Sequence, residues 1–306
     1  MHIYLFQRLL LSIPVVLGVS LLVFAILFLS PGDPVRTMVG LRASEERVQE
    51  IRAQLGLDRP LLVQYGRWLG RVVQGDLGIS IAAKRPVIHL IGEQIPFTLR
   101  LTLVAFALST LAGIGLGMLA AIKQHTWLDT LITYLSVFWF SMPGFWLGLM
   151  LVLVFGLQLR WAPLSGYQSP GALVLPVLTL ALPQMGSLAR LVRNEMLEVL
   201  HEDYIRTARA KGQHPIWVFL HHALPNALIP VVVLLTLSLP WLLGGAVIVE
   251  TIFAWPGVGR LMYQALMQKD FPVVQGILLI IAISTVLANL LGDILTALLD
   301  PRIHRA

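Results

Sequence analysis

Apolar residues reach this chain in long runs, not in alternation, and short charged connections separate the runs. An α-helix needs about 20 predominantly apolar residues to cross ~30 Å of hydrocarbon. Six runs qualify, at residues 9–29, 101–122, 131–157, 172–192, 227–249 and 273–299. The pattern predicts an all-α integral membrane protein with six transmembrane helices. Pro176 and Pro183 interrupt the fourth run and predict a kink, which membrane helices tolerate when neighbours satisfy the freed carbonyls. The first run exceeds the ~7–15 apolar residues of a signal peptide and has no small-residue cleavage site after it. Ser30-Pro-Gly-Asp-Pro34 ends it instead, so an uncleaved first helix is expected.

Lys and Arg in short loops set the orientation. With the N-terminus inside, the inner set is Arg8, Lys123, Arg190, Arg193, Arg206, Arg209, Lys211, Arg302 and Arg305, against Arg160, Arg260 and Lys269 outside. Both termini, 1–8 and 300–306, are therefore expected in the cytoplasm. Residues 193–226 form an inner loop, and residues 30–100 and 250–272 form outer ones.

The segment 31–96 is too long for the charge rule but carries helical signals of its own. Ser44 is a candidate N-cap with Glu45 and Glu46 in the first turn, where the helix dipole favours acids. Val48, Ile51 and Leu55 share a face, and Gly56 can end the helix. A second amphipathic stretch, 61–73, presents Leu62, Tyr65, Leu69 and Val72. These helices are expected on the outer ends of the bundle, either as scaffold or in contact with substrate. In the second span, Gly113 and Gly117 form a G-x-x-x-G pair that permits close helix approach.

Composition agrees with a lipid-solvated chain. Of 306 residues, 57% are hydrophobic and 12% charged, against about 25% charged in soluble proteins. The net charge of +6 is accounted for by inner loops, so no nucleic-acid partner is expected. The absence of cysteine excludes disulfides, zinc–thiolate sites and iron–sulfur clusters.

The inner loop 194–226 is too polar for the bilayer and too patterned for a linker. Glu202 and Asp203 precede Arg206 by four and three residues, a favourable order on a helix. Thr207, Ala208 and Ala210 keep that helix slim, and Gly212 can supply a left-handed turn. Pro215 suits the first turn of a second short helix, with Ile216, Trp217, Phe219 and Leu220 apolar. Leu224-Pro225 then opens the fifth span. A slim helix and a sharp turn parallel to the membrane can enter a groove on a soluble partner. An ordinary positive-inside loop with an interfacial helix is the plainer alternative.

Arg206-Thr207-Ala208-x-x-x-Gly212, followed nine residues later by His222-Ala-Leu224-Pro225, resembles the EAA loop of binding-protein-dependent ABC importer permeases. The family pattern has Glu, Ala and Ile where this chain has Arg206, Thr207 and His222. The version Tyr204-Ile-Arg-Thr-Ala-Arg-Ala-Lys-Gly212 is similar to the peptide/nickel subfamily (dipeptide, oligopeptide, glutathione and nickel permeases). Further landmarks of that subfamily stand in order: Pro31-Gly-Asp-Pro34, Gln54-Leu-Gly-Leu-Asp58, Gly75-Asp-Leu-Gly-Ile-Ser80, Glu250-Thr-Ile-Phe-Ala-Trp-Pro-Gly-Val-Gly259 and Asp300-Pro301. The set looks like a B-type permease subunit.

The resemblance implies the type I importer permease fold, one permease domain in a bacterial inner membrane, and alternating access driven by ATP. It implies a second, C-type permease, two ABC ATPase subunits and an extracytoplasmic substrate-binding protein as partners. Arg206, Thr207, Ala208, Ala210, Gly212, Leu224 and Pro225 would then couple to the ATPase. None of Lys84, Lys123, Lys211 and Lys269 is followed by Ser or Thr, so no phosphate loop is present. No cofactor is expected on this chain, and ATP with Mg belongs to the partners.

Candidates for a pore or gate are Pro143 and Gly144, which can break the third helix, and Glu250, Pro256 and Gly257 at the outer end of the fifth. Asn289 and Asp293 lie one turn apart on the sixth. Asp293 has the alternative of pairing with Arg302 or Arg190 near the inner face, and the aromatics of Phe138–Trp146 can instead face lipid. His201, His214, His221 and His222 cluster in the inner loop, but His221 and His222 point to different faces, so no metal site is expected. An intramembrane enzyme would need a nucleophile and base at membrane depth, and no such constellation is present. A secondary transporter would need no ATPase-binding loop. The cargo expected is di- or oligopeptide, with nickel-chelate or glutathione as alternatives.

Overall fold

The computed structural model describes residues 2–29, 36, 44–54, 58–241 and 246–299. The expected breaks at Pro31–Pro34 and Gly56, residues 242–245 of the fifth expected span, and Asp300-Pro301 with Arg302 and Arg305 lie outside them. The helices are α1 (His2–Leu29), α2 (Glu45–Gln54), α3 (Leu61–Val73), α4 (Val87–Ile122), α5 (Trp127–Ser141), α6 (Gly144–Leu151), α7 (Val174–Leu200), α8 (Asp203–Ala210), α9 (Pro215–Ser238), α10 (Val247–Ile252), α11 (Val258–Met267) and α12 (Phe271–Leu299).

Four described helical segments are long and apolar enough to cross a bilayer: Val87–Ile122, Gly171–Leu200, Pro215–Ser238 and Phe271–Ile294. Trp127–Ser141 and Gly144–Gln158 make a fifth span if counted together, but they are bent by 104°. Pro143 explains the break. It lacks an N–H and drives the preceding Met142 into extended backbone, with φ −80 and ψ 130. The expected first span lies inside α1, whose stretch Leu10–Ala25 is apolar.

Other boundaries differ from expectation. α4 begins at Val87, well before residue 101, and runs 36 residues through Pro96, because hydropathy marks the lipid-crossing stretch and not the helix around it. α9 begins at Pro215, so the expected short helix and fifth span are one element. A widened π-type turn at Phe219–Ala223 precedes Pro225. Proline removes an N–H and crowds the carbonyl four residues back, which a wider turn relieves.

Two compact units emerge, Met1–Pro96 with Gly257–Leu287, and Phe97–Pro256 with Ala288–Ala306. In the first, Ser44 caps α2, its Oγ accepting from Arg47 N at 3.4 Å. α3 spans the expected residues, but its inner face is turned. Tyr65 and Trp68 pack on Phe24 of α1 at 5.6 and 5.8 Å between centroids, and Tyr65 Oη lies 2.7 Å from Ser20 Oγ. Leu62, expected on that face, is 80% exposed. The motif Gly75–Ser80 forms a compact loop in which Gly75 and Gly78 take φ +83 and +87, and Asp76 Oδ1 accepts from Gly78 N at 2.8 Å. Val87, Ile91, Val258, Val274 and Ile277 form the core of this unit.

In the second unit, α4 and α7 meet at glycine. A Cβ on Gly113 would stand 2.8 Å from Leu188 Cβ, and one on Gly117 would stand 2.6 Å from the Ala189 carbonyl. The expected close approach is thus present, with α7 as the partner. α5 packs along α7, where Gly186 meets the Ser136 backbone. Arg193 clamps the end of that pairing, its Nε and Nη2 donating to Asp129 at 2.5 and 2.9 Å.

Candidate functional site

The inner loop is built as an anchored hook. α8 turns Ile205 and Ala208 inward, onto a core that holds Met196, Val218, Ala223 and Ala227. These positions lie three apart and so share one face. Arg206, Thr207, Arg209, Ala210 and Lys211 are left outward and exposed. Of the small residues expected at a partner surface, Ala208 therefore faces the bundle, and the anchoring Ile205 was not singled out from sequence. A lone branched apolar residue in a polar stretch was the available signal.

Gly212 takes φ +75, the left-handed conformation expected of it, and no atom stands within 4 Å of a Cβ built there. Backbone conformation, not crowding, selects glycine. Two side-chain ties close the hook. Asn226 Nδ2 donates to Tyr204 Oη at 3.0 Å, and His222 Nε2 lies 3.0 Å from Gln213 Oε1. The His214 side chain accepts from Ile216 N at 3.4 Å, with Pro215 in the first turn as expected. Arg206 pairs with Asp203 at 3.4 Å, both side chains exposed, which contributes little to stability. Ile216, Trp217 and Leu220 are exposed, and Trp217 stacks on His221 with centroids 3.5 Å apart. Leu224 is half-buried and Pro225 exposed. Among the described residues, no cluster of three or more His, Asp or Glu could hold a metal ion.

The pore candidates divide. Pro143 and Gly144 are exposed at the bend between α5 and α6. Tyr134, Phe138, Pro143, Phe145 and Trp146 line an open apolar cleft of about 870 Å³ there. Gly144 also borders a smaller cavity of about 370 Å³, with Phe140, Thr179, Gln184, Ser187 and Trp241. Gln184 reaches Ser238 Oγ at 3.2 Å. Sequence reading missed this polar group because single Gln, Ser and Thr residues in apolar runs carry no periodic signal.

Glu250 lies in the interior of its unit. It is fully buried, it accepts from Thr98 Oγ1 at 2.6 Å, and its backbone carbonyl accepts from Trp255 N at 2.8 Å. Trp255 Nε1 in turn donates to the Phe97 carbonyl at 2.9 Å. The carboxylate thus ties α4 to α10 within this unit. Pro256 is half-buried and Gly257 buried. Gly257 is extended at φ −112, while Ala254 carries the left-handed backbone of this turn, at φ +51. Asn289 is exposed and Asp293 half-buried. Between them, Gly292 packs against Thr236, whose Cβ would lie 3.1 Å from an added Cβ.

Residues 1–102 match the N-terminal model of the binding-protein-dependent transport system membrane component. Residues 113–305 match the binding-protein-dependent transport system inner membrane component. A putative peptide transport system permease protein of Brucella suis is 44% identical over 301 residues, covering 96% of each chain. The oligopeptide transport system permease protein AppB of Bacillus subtilis is 40% identical over 315 residues, covering 99% of this chain and 100% of its own. The glutathione transport system permease protein GsiC of Escherichia coli is 40% identical over 301 residues, covering 98% of each. A chain of the inward-facing methionine ABC transporter MetNI shares the fold at a TM-score of 0.59 and 22% identity, over 70% of this chain and 97% of its own. The chain belongs to the binding-protein-dependent transport system inner membrane component family and is a multi-pass permease subunit of an ABC importer.

Proposed function

We propose that this permease forms half of the translocation pore for di- and oligopeptides, working by ATP-driven alternating access beside a second, C-type permease. Two ABC ATPase subunits bind the cytoplasmic face, and an extracytoplasmic binding protein delivers cargo. Both termini are cytoplasmic, in keeping with the excess of Lys and Arg in the inner loops.

The observation that carries this reading is the hook 203–212. It offers an exposed, slim helix end with a left-handed glycine, held by Ile205, Ala208 and two side-chain ties. Such a shape can enter a cleft on the motor subunit and pass its movement into α7 and α9. Thr207, Ala210 and Gly212 form the contact, Arg206 flanks it, and Ala208 acts from inside. Leu224 and Pro225 set where α9 resumes its regular course. Pro143, Gly144, Asn289 and Asp293 remain candidates for the passage, with Gln184 added beside them. Glu250, Pro256 and Gly257 remain candidates for the outer gate.

Peptide as cargo is supported by the peptide and oligopeptide relatives. Glutathione is the second reading, supported by the 40% identity to GsiC. Because the chain has no cysteine, a single cysteine at Ala210 is a unique crosslinking point. It is expected to join an ATPase subunit in the assembled complex, and failure to reach any ATPase would overturn the coupling role. Uptake of dipeptides, oligopeptides and glutathione into proteoliposomes, with and without ATPase partners, settles cargo and energy source. Uptake that needs no ATPase would point to a secondary transporter.

A further inference from the structure

Two arginines three residues apart on α7 have different surroundings. Arg193 is satisfied by Asp129 through two hydrogen bonds. Arg190 has no ion-pair partner among the described residues, and its Nε is buried without an acceptor. Its guanidinium carbon rests 4.7 Å from the centroid of the Phe140 ring. Arg190 stands near the inner end of the fourth span, and an ionisable group on a membrane helix is costly and is read by default as a functional-site candidate.

Arg190 is linked to a cavity through Phe140. Phe140, on which it rests, lines the space of about 370 Å³ together with Pro183, Gln184 and Ser187. Pro183, Ser187 and Arg190 recur at spacings of four and three, so they share one face of α7. The volume falls within the ~300–1,000 Å³ typical of small-ligand sites. The wall supplies an amide and hydroxyls, and the cation on the Phe140 ring has no anion among the described residues. The aromatic face holds the guanidinium in place without neutralising it.

We propose that Arg190 receives the C-terminal carboxylate of the peptide in transit. This inference rests on the peptide reading above. A carrier that accepts many side chains can fix on what every peptide shares, and a guanidinium fork fits a carboxylate through two parallel hydrogen bonds. A lipid phosphate carries the same anionic oxygens, and the experiment separates the two sources.

The test uses the full importer in proteoliposomes and one peptide in two forms, free acid and C-terminal amide. Each form is normalised to its own wild-type uptake, which cancels any preference of the binding protein. Arg190→Gln is expected to slow the free acid about tenfold, the size of a lost charge-assisted hydrogen bond, and to leave the amide within about twofold. Arg190→Lys, which keeps the charge, is expected to recover part of the free-acid rate. Equal loss for both forms would assign Arg190 to lipid or to packing and overturn the proposal, as would no loss for either. If wild type carries the acid alone, equal uptake by the Gln and Lys variants overturns it. Wild type that carries no peptide at all, while another cargo is taken up, overturns the peptide reading itself.

Discussion

Ser80 donates a 2.5 Å hydrogen bond to Asp270 across 190 residues of sequence. Asp270 also accepts from the backbone N–H groups of Ile81 and Ala82, at 3.0 and 3.1 Å, and its own carbonyl receives Val274 N at the start of α12. Both side chains are buried. The carboxylate thus organises the loop after Gly78, while the backbone of the same residue opens a membrane helix.

Asp270→Ala leaves three donors without their acceptor and is expected to destabilise the protein by about 3 kcal/mol. Asp270→Asn keeps one acceptor oxygen and should lose less. Thermal unfolding in detergent ranks the two, and equal melting of Asp270→Ala and wild type would show that the carboxylate does not organise the loop.

The Asp129–Arg193 pair makes a second stability prediction. Removing either partner leaves a partly buried charge exposed to low dielectric, at about 3 kcal/mol. Removing both should destabilise by less than the sum of the singles, so the double-mutant cycle shows coupling. Strict additivity would indicate that the two side chains act independently.

Gly117→Leu drives a side chain into the Ala189 carbonyl and Val192, and overpacking of this kind destabilises by about 1–3 kcal/mol. Gly115 has nothing within 4 Å of an added Cβ, so Gly115→Ala should stay within about 0.5 kcal/mol of wild type. The pair is compared by melting temperature and by yield of folded protein, and a tolerated Gly117→Leu would contradict the close α4–α7 approach.

Gly212→Val tests the hook. Left-handed backbone at a branched residue costs about 1–2 kcal/mol, too little to prevent insertion. Uptake is expected to fall at least tenfold while the protein remains in the membrane. Gly212→Asn, which tolerates that backbone better, should retain more. Measuring transport and binding-protein-stimulated ATP hydrolysis together shows whether the two have come apart.

Much of this fold was legible from local signals. The limits of α3, the Ser44 cap, the left-handed turn at Gly212 and the Gly113–Gly117 approach all follow from residue type and spacing. What escaped depends on neighbours distant in sequence. Tyr65 and Trp68 displace Leu62 from the inner face of α3 because Phe24 of α1 offers an aromatic surface there. The Glu250 bond escaped because its partner, Thr98, lies 152 positions earlier. The cavity with Gln184 forms where several helices meet, and no single segment announces it. Pro143 was legible as a break, but the 104° bend was not, since a missing N–H permits an angle without choosing one.

The Thr98–Glu250 bond also sets a timetable for biosynthesis. Ribosomes add about 5–20 residues per second, so roughly 8–30 s pass between the appearance of the hydroxyl and that of its acceptor. During that interval the nascent second span has neither this acceptor nor the indole that later binds the Phe97 carbonyl. Insertion of the early spans and their final locking are therefore separate events, and the late one waits for the last third of the polypeptide.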